Sequence, residues 1–300
     1  MSILVVGSVA LDSVKTPFGE REEVLGGSAV FFGVAASFFS EVRISAVVGE
    51  DFPPRHLDFL ASRGIDLEGL QRRPGRTFRW KGYYDYDLND AHTLDTQLNV
   101  FQDFQPELPE SYRDSEFVFL ANIDPVLQRR VLEQVRSPRL VLCDTMNYWI
   151  ENRREELLKT IGMVDIMLLN DAEARQLTGE PNLIQAGRSI LKMGPRRVII
   201  KKGEHGVLML GPDSFFSLTA YPLEYVFDPT GAGDSFGGGF LGSLSRYEEF
   251  GEEELRRSVV YGSVMASFNV ESFSCDRLGE LTREDVEKRF REFMMMTRFT

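Results

Sequence analysis

The sequence is poor in cysteine, in basic residues relative to acidic ones, and in long hydrophobic runs. Two cysteines, Cys143 and Cys275, are too few for a disulfide framework or a structural zinc site, which makes a reducing cytoplasm the simplest compartment. The 34 Lys and Arg residues against 46 Asp and Glu residues give a net charge of −12, so nucleic acid and anionic membranes are not expected partners. With no basic, uninterrupted apolar start and no apolar run of about 18 residues, neither a secretory signal nor a membrane span is expected.

The remaining composition is that of a globular protein, and its pattern favours an α/β fold. Hydrophobic residues make up 43% of the 300 residues and charged residues 27%, enough to bury a core and still form a cleft. Short β-branched runs alternate with helical segments, which indicates a mainly parallel sheet flanked by helices. Strands are predicted at 3–11, 43–48, 116–120, 139–143, 165–169, 197–201, 207–210 and 215–218, and helices at 29–39, 53–62, 125–135, 151–161, 172–177, 233–244, 255–268 and 283–296.

One segment, 77–104, follows a different pattern. The alternation runs through Phe78, Trp80, Gly82 and Tyr84, and the residues between them are mostly polar. It continues at positions 98, 100 and 104. A period of two with aromatic residues is typical of strands that are covered on one face only. We therefore predict an insertion of strands between the alternating strands and helices.

The strongest local motif is the run from Asp228 to Asp234, DPTGAGD, which is followed by three further glycines. Small residues that end in a helix start would point free backbone amides of Gly231, Ala232 and Gly233 at one place, with the positive end of the helix dipole behind them. This arrangement predicts an anion hole. An aspartate at this point is either a helix N-cap or a general base placed where an anion is transferred.

This run resembles the D-T-x-G-A-G-D signature of the ribokinase-like (PfkB) carbohydrate kinases, in its spelling with an additional proline. Weaker family motifs occur in the expected order: Gly26-Gly27, Gly49-Glu50-Asp51, Asn170-Asp171-Ala172-Glu173 and Lys202-Gly203-Glu204-His205-Gly206. The resemblance implies an α/β fold, a three-layer sandwich with a mainly parallel central sheet and a small β-sheet lid. It also implies a single kinase domain over residues 1–300, with lid segments at about 14–24 and 77–104.

The resemblance implies a direct in-line transfer of the γ-phosphate from ATP, with Mg²⁺ as cofactor. Asp234 is the expected base, and the amides of Gly231, Ala232 and Gly233 are expected to stabilise the transferred group. By the same resemblance, Asn170 and Glu173 are expected to order Mg²⁺. Without it, the pair would be interpreted as a helix capping box. Asp12, Gly26 and Gly27 are expected at the substrate, and Thr230, Lys202, Gly203, Gly206 and Asn269 at the nucleotide. The ordinary alternatives are a turn aspartate for Asp12, a hairpin turn for Gly203 and Gly206, and a helix cap for Asn269.

The sequence departs from the family pattern at Phe31, where many sugar kinases have an asparagine that contacts a sugar hydroxyl. Together with Trp80, Tyr83, Tyr84 and Tyr86 in the lid, Phe31 suggests an acceptor with an apolar or planar part. The expected function is an ATP-dependent kinase for a small sugar. The alternatives are a nucleoside kinase of the adenosine or cytidine type and a catalytically silent member that binds a sugar or nucleotide. The family also suggests K⁺ near the Asp228 loop. The exposed, one-faced strands of the lid are edges that can pair, which suggests a homodimer through the lid.

Overall fold

The computed structural model describes residues 1–298. It contains one large sheet and one small sheet, as predicted. Within these residues, ten strands form one sheet in the order β14-β13-β12-β11-β10-β9-β1-β4-β5, with β6 also paired to β4. The pairs from β12 to β5 are parallel, and β13 and β14 add an antiparallel edge. The strands are β1 Ser2–Val6, β2 Ala10–Thr16, β3 Gly19–Gly26, β4 Glu41–Gly49, β5 Ile65–Asp66, β6 Leu70–Arg73, β7 Phe78–Tyr84, β8 Ala91–Gln97, β9 Phe117–Leu120, β10 Leu140–Cys143, β11 Ile166–Asn170, β12 Arg197–Lys201, β13 Val207–Leu210 and β14 Phe215–Leu218.

Helices cover both faces of the large sheet, as a parallel sheet with two buried faces requires. Alternate residues of each strand enter different cores: Ile3 and Val5 of β1 belong to one cluster, and Leu4 and Val6 to the other. The first cluster packs under α1, α8, α9 and α11, and the second under α3, α5, α6 and α7. The helices are α1 Ser28–Ala36, α2 Pro54–Ser62, α3 Pro125–Leu132, α4 Asn147–Asn152, α5 Arg154–Ile161, α6 Asp171–Thr178, α7 Leu183–Leu191, α8 Ala232–Leu244, α9 Glu252–Asn269, α10 Asp276–Glu280 and α11 Arg283–Met296.

The small sheet, which we call the lid sheet, contains β3, β2, β7 and β8 in that order. It is mixed, because β2 pairs with β3 antiparallel and with β7 parallel. The ribokinase-like three-layer sandwich with a small sheet is therefore confirmed. The fold's long parallel order brings the carboxyl ends of β10, β11 and β12 side by side, which is where ligands bind in open α/β sheets.

Two strand predictions were wrong. The predicted strand at 3–11 is two strands, because residues 7–9 leave the large sheet and pack against the start of α1. There Ser8 and Ser28 exchange hydrogen bonds between amides and hydroxyls at 3.2 and 3.0 Å. The lid strands also end at Gln97: the alternating residues 98–104 contain a 3₁₀ turn, Asn99–Phe101, and Phe104 is buried in the second core. In both cases, the packing of the segment against a neighbouring element overrides its local pattern.

Candidate active site

The Asp228–Asp234 run forms a tight loop that leads into α8. Gly231 is the N-cap and has φ of 76°, a left-handed conformation that side-chain-bearing residues adopt at a cost. A Cβ at Gly231 would also lie 2.2 Å from Cγ of Phe31. Phe31 is 2% exposed, so its ring packs directly under the loop. Both the backbone and the ring therefore require glycine at this position.

The first-turn amides of α8 lie at the N-terminal end of the helix dipole, as the motif predicted. One of the three predicted amides differs from the expectation. The Ala232 amide donates to the Pro229 carbonyl at 3.1 Å, so it is engaged within the loop rather than free. This leaves Gly231 and Gly233 as the glycines of the motif whose amides can serve an anion.

Asn269 and Asp228 hold this loop in place. The Asn269 side chain is 1% exposed, and its Nδ2 donates to the Thr230 carbonyl at 2.8 Å. Its Oδ1 lies 3.1 Å from the Ser235 hydroxyl in the first turns of α8. The Asp228 carboxylate accepts the Thr230 amide at 2.9 Å. The predicted contact between Asn269 and adenine stays a prediction, while the structure shows Asn269 fixing the loop that precedes Asp234.

Asp234 lies in the first turn of α8 and is half-buried. Its removal from bulk water raises the pKa of this carboxyl well above its usual value, and the carboxylates of Asp144 and Asp12 raise it further. The charge of Lys201 opposes this shift. A carboxylate with a raised pKa is a stronger proton acceptor than an exposed one, which suits a general base.

Asp12 lies within β2, and therefore on the lid sheet rather than beyond a strand of the large sheet. It is 5% exposed, and burial raises the pKa of its carboxyl to about 7, against the opposing effect of the Gly27 amide. A Cβ at Gly26 would lie 1.9 Å from its Oδ2, so the absence of a side chain at Gly26 is what admits Asp12. The structure thus brings together Asp12, Gly26 and Gly27, which the sequence analysis placed at the substrate.

Asn170 and Glu173 form the capping box that was the alternative to a metal site. The Asn170 side chain accepts the Glu173 amide, and Glu173 Oε2 accepts the Asn170 amide, both at 2.7 Å. Glu173 is buried at the carboxyl end of β11, and burial raises its pKa to about 7. Within residues 1–298, no group of three or more His, Cys, Asp or Glu side chains is arranged to hold a metal ion. Glu173 nevertheless offers a carboxylate that suits Mg²⁺. Protein sites commonly hold this ion through one or two carboxylates, substrate phosphates and waters.

The sequence analysis missed a buried ion pair between Lys201 and Asp144. The Lys201 Nζ lies 3.1 Å from Asp144 Oδ2, with the two side chains 18% and 6% exposed. The same Nζ lies 2.7 Å from where a Cβ at Gly233 would be, so it is directly beside the first turn of α8. A signal was present in the sequence, because each residue ends or directly follows a buried strand, β12 and β10, at the edge where ligands gather.

The predicted nucleotide turn at 202–206 contains a 3₁₀ turn and joins the antiparallel strands β12 and β13, so it is the hairpin turn that was the ordinary alternative for Gly203 and Gly206. The Lys202 amide donates to the Gly206 carbonyl at 2.8 Å, and both glycines, Gly203 and Gly206, have positive φ. A Cβ at Gly203 would lie 3.5 Å from the Asn89 side chain near the tip of the lid sheet. The turn thus stands at the open end of the cleft, and its contacts with a nucleotide stay a prediction.

The lid sheet reaches the loop through Tyr84 at the end of β7. The Tyr84 and Thr230 hydroxyls are 3.3 Å apart. Burial raises the pKa of the Tyr84 hydroxyl, and the nearby carboxylates of Asp228, Asp12 and Asp234 raise it further. Strand alternation puts Trp80 on the same face of β7. The Trp80 ring lies over Gly82, and its Nε1 donates to the Thr93 hydroxyl at 3.1 Å. Two aromatic rings therefore line the side of the lid sheet that carries Asp12.

Comparisons with known proteins agree with the fold described above. The model of the pfkB family carbohydrate kinases matches residues 3–280. A cytidine kinase from Thermococcus kodakarensis is 31% identical over 252 residues, which is 82% of this chain and 89% of that protein.

Two solved structures share the fold. A nucleoside kinase from Burkholderia thailandensis with inosine has a TM-score of 0.80 at 19% identity, covering 97% of each chain. An Escherichia coli protein called ribokinase II, solved with ATP and Mg²⁺, has a TM-score of 0.81 at 18% identity, covering 97% of this chain and 99% of that one. No helix within residues 1–298 is long and apolar enough to cross a membrane. The chain belongs to the PfkB family of carbohydrate kinases, which are phosphotransferases acting on hydroxyl groups.

Proposed function

We propose that this protein transfers the γ-phosphate of ATP to a hydroxyl of a nucleoside. The observation that carries the proposal is the pairing of Asp12 with two aromatic rings, Trp80 and Tyr84, on one side of the lid sheet. Asp12 offers a buried carboxylate to ribose hydroxyls, and the rings offer a surface to a planar base. A free sugar would use the first feature and leave the second without a partner. The similarity to a cytidine kinase across most of the chain supports the same choice.

In the proposed reaction, Asp234 takes the proton of the acceptor hydroxyl while that oxygen bonds to the γ-phosphorus. The bond from the γ-phosphorus to the bridging oxygen of the β-phosphate breaks, which gives ADP and a nucleoside monophosphate without a phosphoenzyme. The amides of Gly231 and Gly233 stabilise the charge on the transferred group, a contribution of about 2.7–4 kcal/mol for one such donor. Bound with ATP, Mg²⁺ would offset phosphate charge, and Glu173 with Asn170 is the pair that would hold it.

Phe31 and the lid sheet shape the acceptor side of the cleft. Phe31 is buried beneath Gly231, so this position supports the loop and offers no polar contact to a sugar. Tyr84 closes the cleft against Thr230, excluding water from the transfer. A small sugar remains the second candidate acceptor, because Asp12 alone can bind sugar hydroxyls.

The test is a coupled ADP-release assay with Mg²⁺ and ATP across nucleosides, pentoses, hexoses and phosphosugars. We expect turnover with a nucleoside, and a fall in kcat of about 10²- to 10⁴-fold in Asp234→Asn with nearly unchanged ATP affinity. Asp213→Asn, a substitution at an exposed aspartate, is the matched control and should retain activity. Unchanged turnover in Asp234→Asn would remove this residue as the base. Ligand-induced stabilisation without turnover on the whole panel would favour a silent binding protein.

The acceptor class is tested by Trp80→Leu. Loss of a base–aromatic contact is worth about 1–3 kcal/mol, so KM for the nucleoside should rise by about 5- to 150-fold. Tyr83→Leu is the control, because Tyr83 faces the other side of β7 and stacks on His92 with 4.8 Å between ring centroids. A preference for a free sugar that Trp80→Leu leaves unaltered would replace the nucleoside by the sugar.

K⁺ binding and a homodimer through the lid sheet remain proposals. The amides of Phe227 and Asp228 donate to the Val270 carbonyl, which joins the two segments near which the family suggests K⁺. On the lid sheet, Leu94 is 60% exposed and is available to a second copy. The K⁺ proposal is tested by comparing the activity in K⁺ with the activity in a large organic cation. The homodimer proposal is tested by comparing the mass in solution of Leu94→Glu with that of the parent protein.

A further inference from the structure

The Lys201–Asp144 pair places a buried positive charge beside the anion hole, and no motif of the fold accounts for it. Lys201 ends β12, where its backbone pairs with Asn170 of β11 and Val207 of β13, and its side chain is 18% exposed. Its Nζ is 3.1 Å from Asp144 Oδ2 and lies against Gly233. A buried ion pair rarely stabilises a fold more than well-packed apolar residues do, so its presence calls for another explanation.

The position of Asp144 is itself closely determined. Its amide donates to the Leu120 carbonyl at 2.9 Å, and its Oδ1 accepts the Thr145 amide at 2.9 Å. The buried Gln128 side chain donates to its carbonyl at 3.1 Å. With the backbone and one oxygen fixed, Oδ2 holds the Lys201 ammonium at a set place. Asp144 therefore acts as a support that aims Lys201 at the first turn of α8.

The ammonium has capacity beyond this pair. A lysine carries three N–H donors, and Asp144 Oδ2 uses one of them. Burial raises the pKa of both Asp234 and Glu173 and the charge of Lys201 lowers it, so both carboxyls lie near this ammonium. An anion on the amides of Gly231 and Gly233 would thus lie within reach of a full positive charge as well as the helix dipole.

We propose that Lys201 is a catalytic residue that donates a hydrogen bond to the γ-phosphate of the donor, and that Asp144 is the positioning residue that orients it. Lys201 keeps its proton throughout and forms no covalent bond. It strengthens its contact as charge moves onto the transferred group, which is the action that lowers a transfer barrier. This inference rests on the proposed kinase function, but it makes a prediction about nucleotide binding that needs no acceptor.

The test compares ATP with ADP, each with Mg²⁺, by titration calorimetry in the absence of acceptor. Lys201→Met should lower the preference for ATP over ADP by about 10- to 100-fold, since a hydrogen bond to a charged group is lost only with ATP. Lys201→Arg should retain part of that preference, and Asp144→Asn should give an intermediate loss. Lys288→Met, on the exposed face of α11, is the control and should bind both nucleotides as the parent does.

Lys201→Met leaves the Asp144 carboxylate buried without its partner and can therefore destabilise the fold. The double variant Lys201→Met/Asp144→Asn removes both charges and keeps the measurement possible. If Lys201 only neutralises Asp144, this folded double variant will bind ATP and ADP with the parent's ratio, and the inference is overturned. A failure to find any phosphorylated acceptor would contradict the proposed function and leave this binding ratio as a separate result.

Discussion

Gly231→Ala tests whether the loop before Asp234 is shaped by Phe31 as well as by its own backbone. The left-handed conformation at Gly231, with φ of 76°, costs an alanine about 1–2 kcal/mol. The new Cβ would also lie 2.2–2.4 Å from three atoms of the Phe31 ring. Ordinary contact distances require a separation more than about 1 Å larger, and close-packed interiors yield little. We expect an additional cost of about 1–3 kcal/mol from this overlap.

The chain offers a matched control in Gly179. Its φ is 74°, and a Cβ there would meet nothing within 4 Å, so Gly179→Ala carries the backbone cost without the overlap. Urea unfolding should show Gly231→Ala to be less stable than Gly179→Ala by the overlap alone. The ADP-release assay should show a fall in kcat of about 10²-fold for Gly231→Ala, because the amides and Asp234 shift by up to about 1 Å. Gly179→Ala should retain the parent's kcat.

Phe31→Ala, alone and combined with Gly231→Ala, completes a double-mutant cycle. Phe31→Ala alone opens a cavity and should cost about 3–5 kcal/mol, but it removes the ring that the new Cβ meets. The combined loss should therefore be smaller than the sum of the two single losses, with part of kcat restored. Strict additivity, or equal stability and kcat for Gly231→Ala and Gly179→Ala, would refute the steric argument.

Three further changes test the cleft. Burial raises the pKa of Asp12 to about 7 from an unfolded value near 3.8, so the folded protein binds more protons between these values. The free energy of unfolding should then fall as pH rises from about 4 to 7. Asp12→Asn should reduce this slope by up to about 1.4 kcal/mol per pH unit, measured by calorimetry against the parent protein. An unchanged slope would contradict the raised pKa of Asp12. Asn269→Ala leaves the Thr230 carbonyl without its hydrogen-bond donor, so the free energy of unfolding should fall by about 1–3 kcal/mol, measured by urea unfolding. The coupled assay should show a lower kcat. Full activity would show that the loop does not need this hydrogen bond. Tyr84→Phe removes the contact to Thr230 and should raise the acceptor KM by about 3- to 10-fold with little change in Tm, whereas a change in Tm alone would assign Tyr84 to the fold.

The sequence predicted the parts of the fold that depend on local pattern and on one rare motif. The alternating strands and helices and the loop before Asp234 follow from residues adjacent in the chain. The division of 3–11 into β1 and β2 did not, because it depends on Ser8 meeting Ser28, twenty residues away. The end of the lid sheet at Gln97 likewise depends on Phe104 finding a place in the second core.

The same distinction holds within the site. Asp234, the glycines and Asp12 belong to motifs and could therefore be predicted as site residues. The sequence did not predict that the Pro229 carbonyl accepts the Ala232 amide. Lys201 and Asp144 were missed because 57 residues separate them, and each alone is an ordinary polar residue after a strand. Only the parallel order of β10, β11 and β12 brings them to one edge.

The carboxyl ends of β10, β11 and β12 also explain how a chain with a net charge of −12 would bind an anionic phosphate donor. Its acidic surface repels a nucleotide, so binding depends on positive charge placed locally at the phosphates. A helix N-terminus offers about half an elementary charge, and Asp234 in the same turn offsets it. Lys201 adds a full charge at Gly233, while Asp144 both fixes and partly neutralises it. Since the proposed transfer places the γ-phosphate beside Gly233, this charge should favour ATP over ADP.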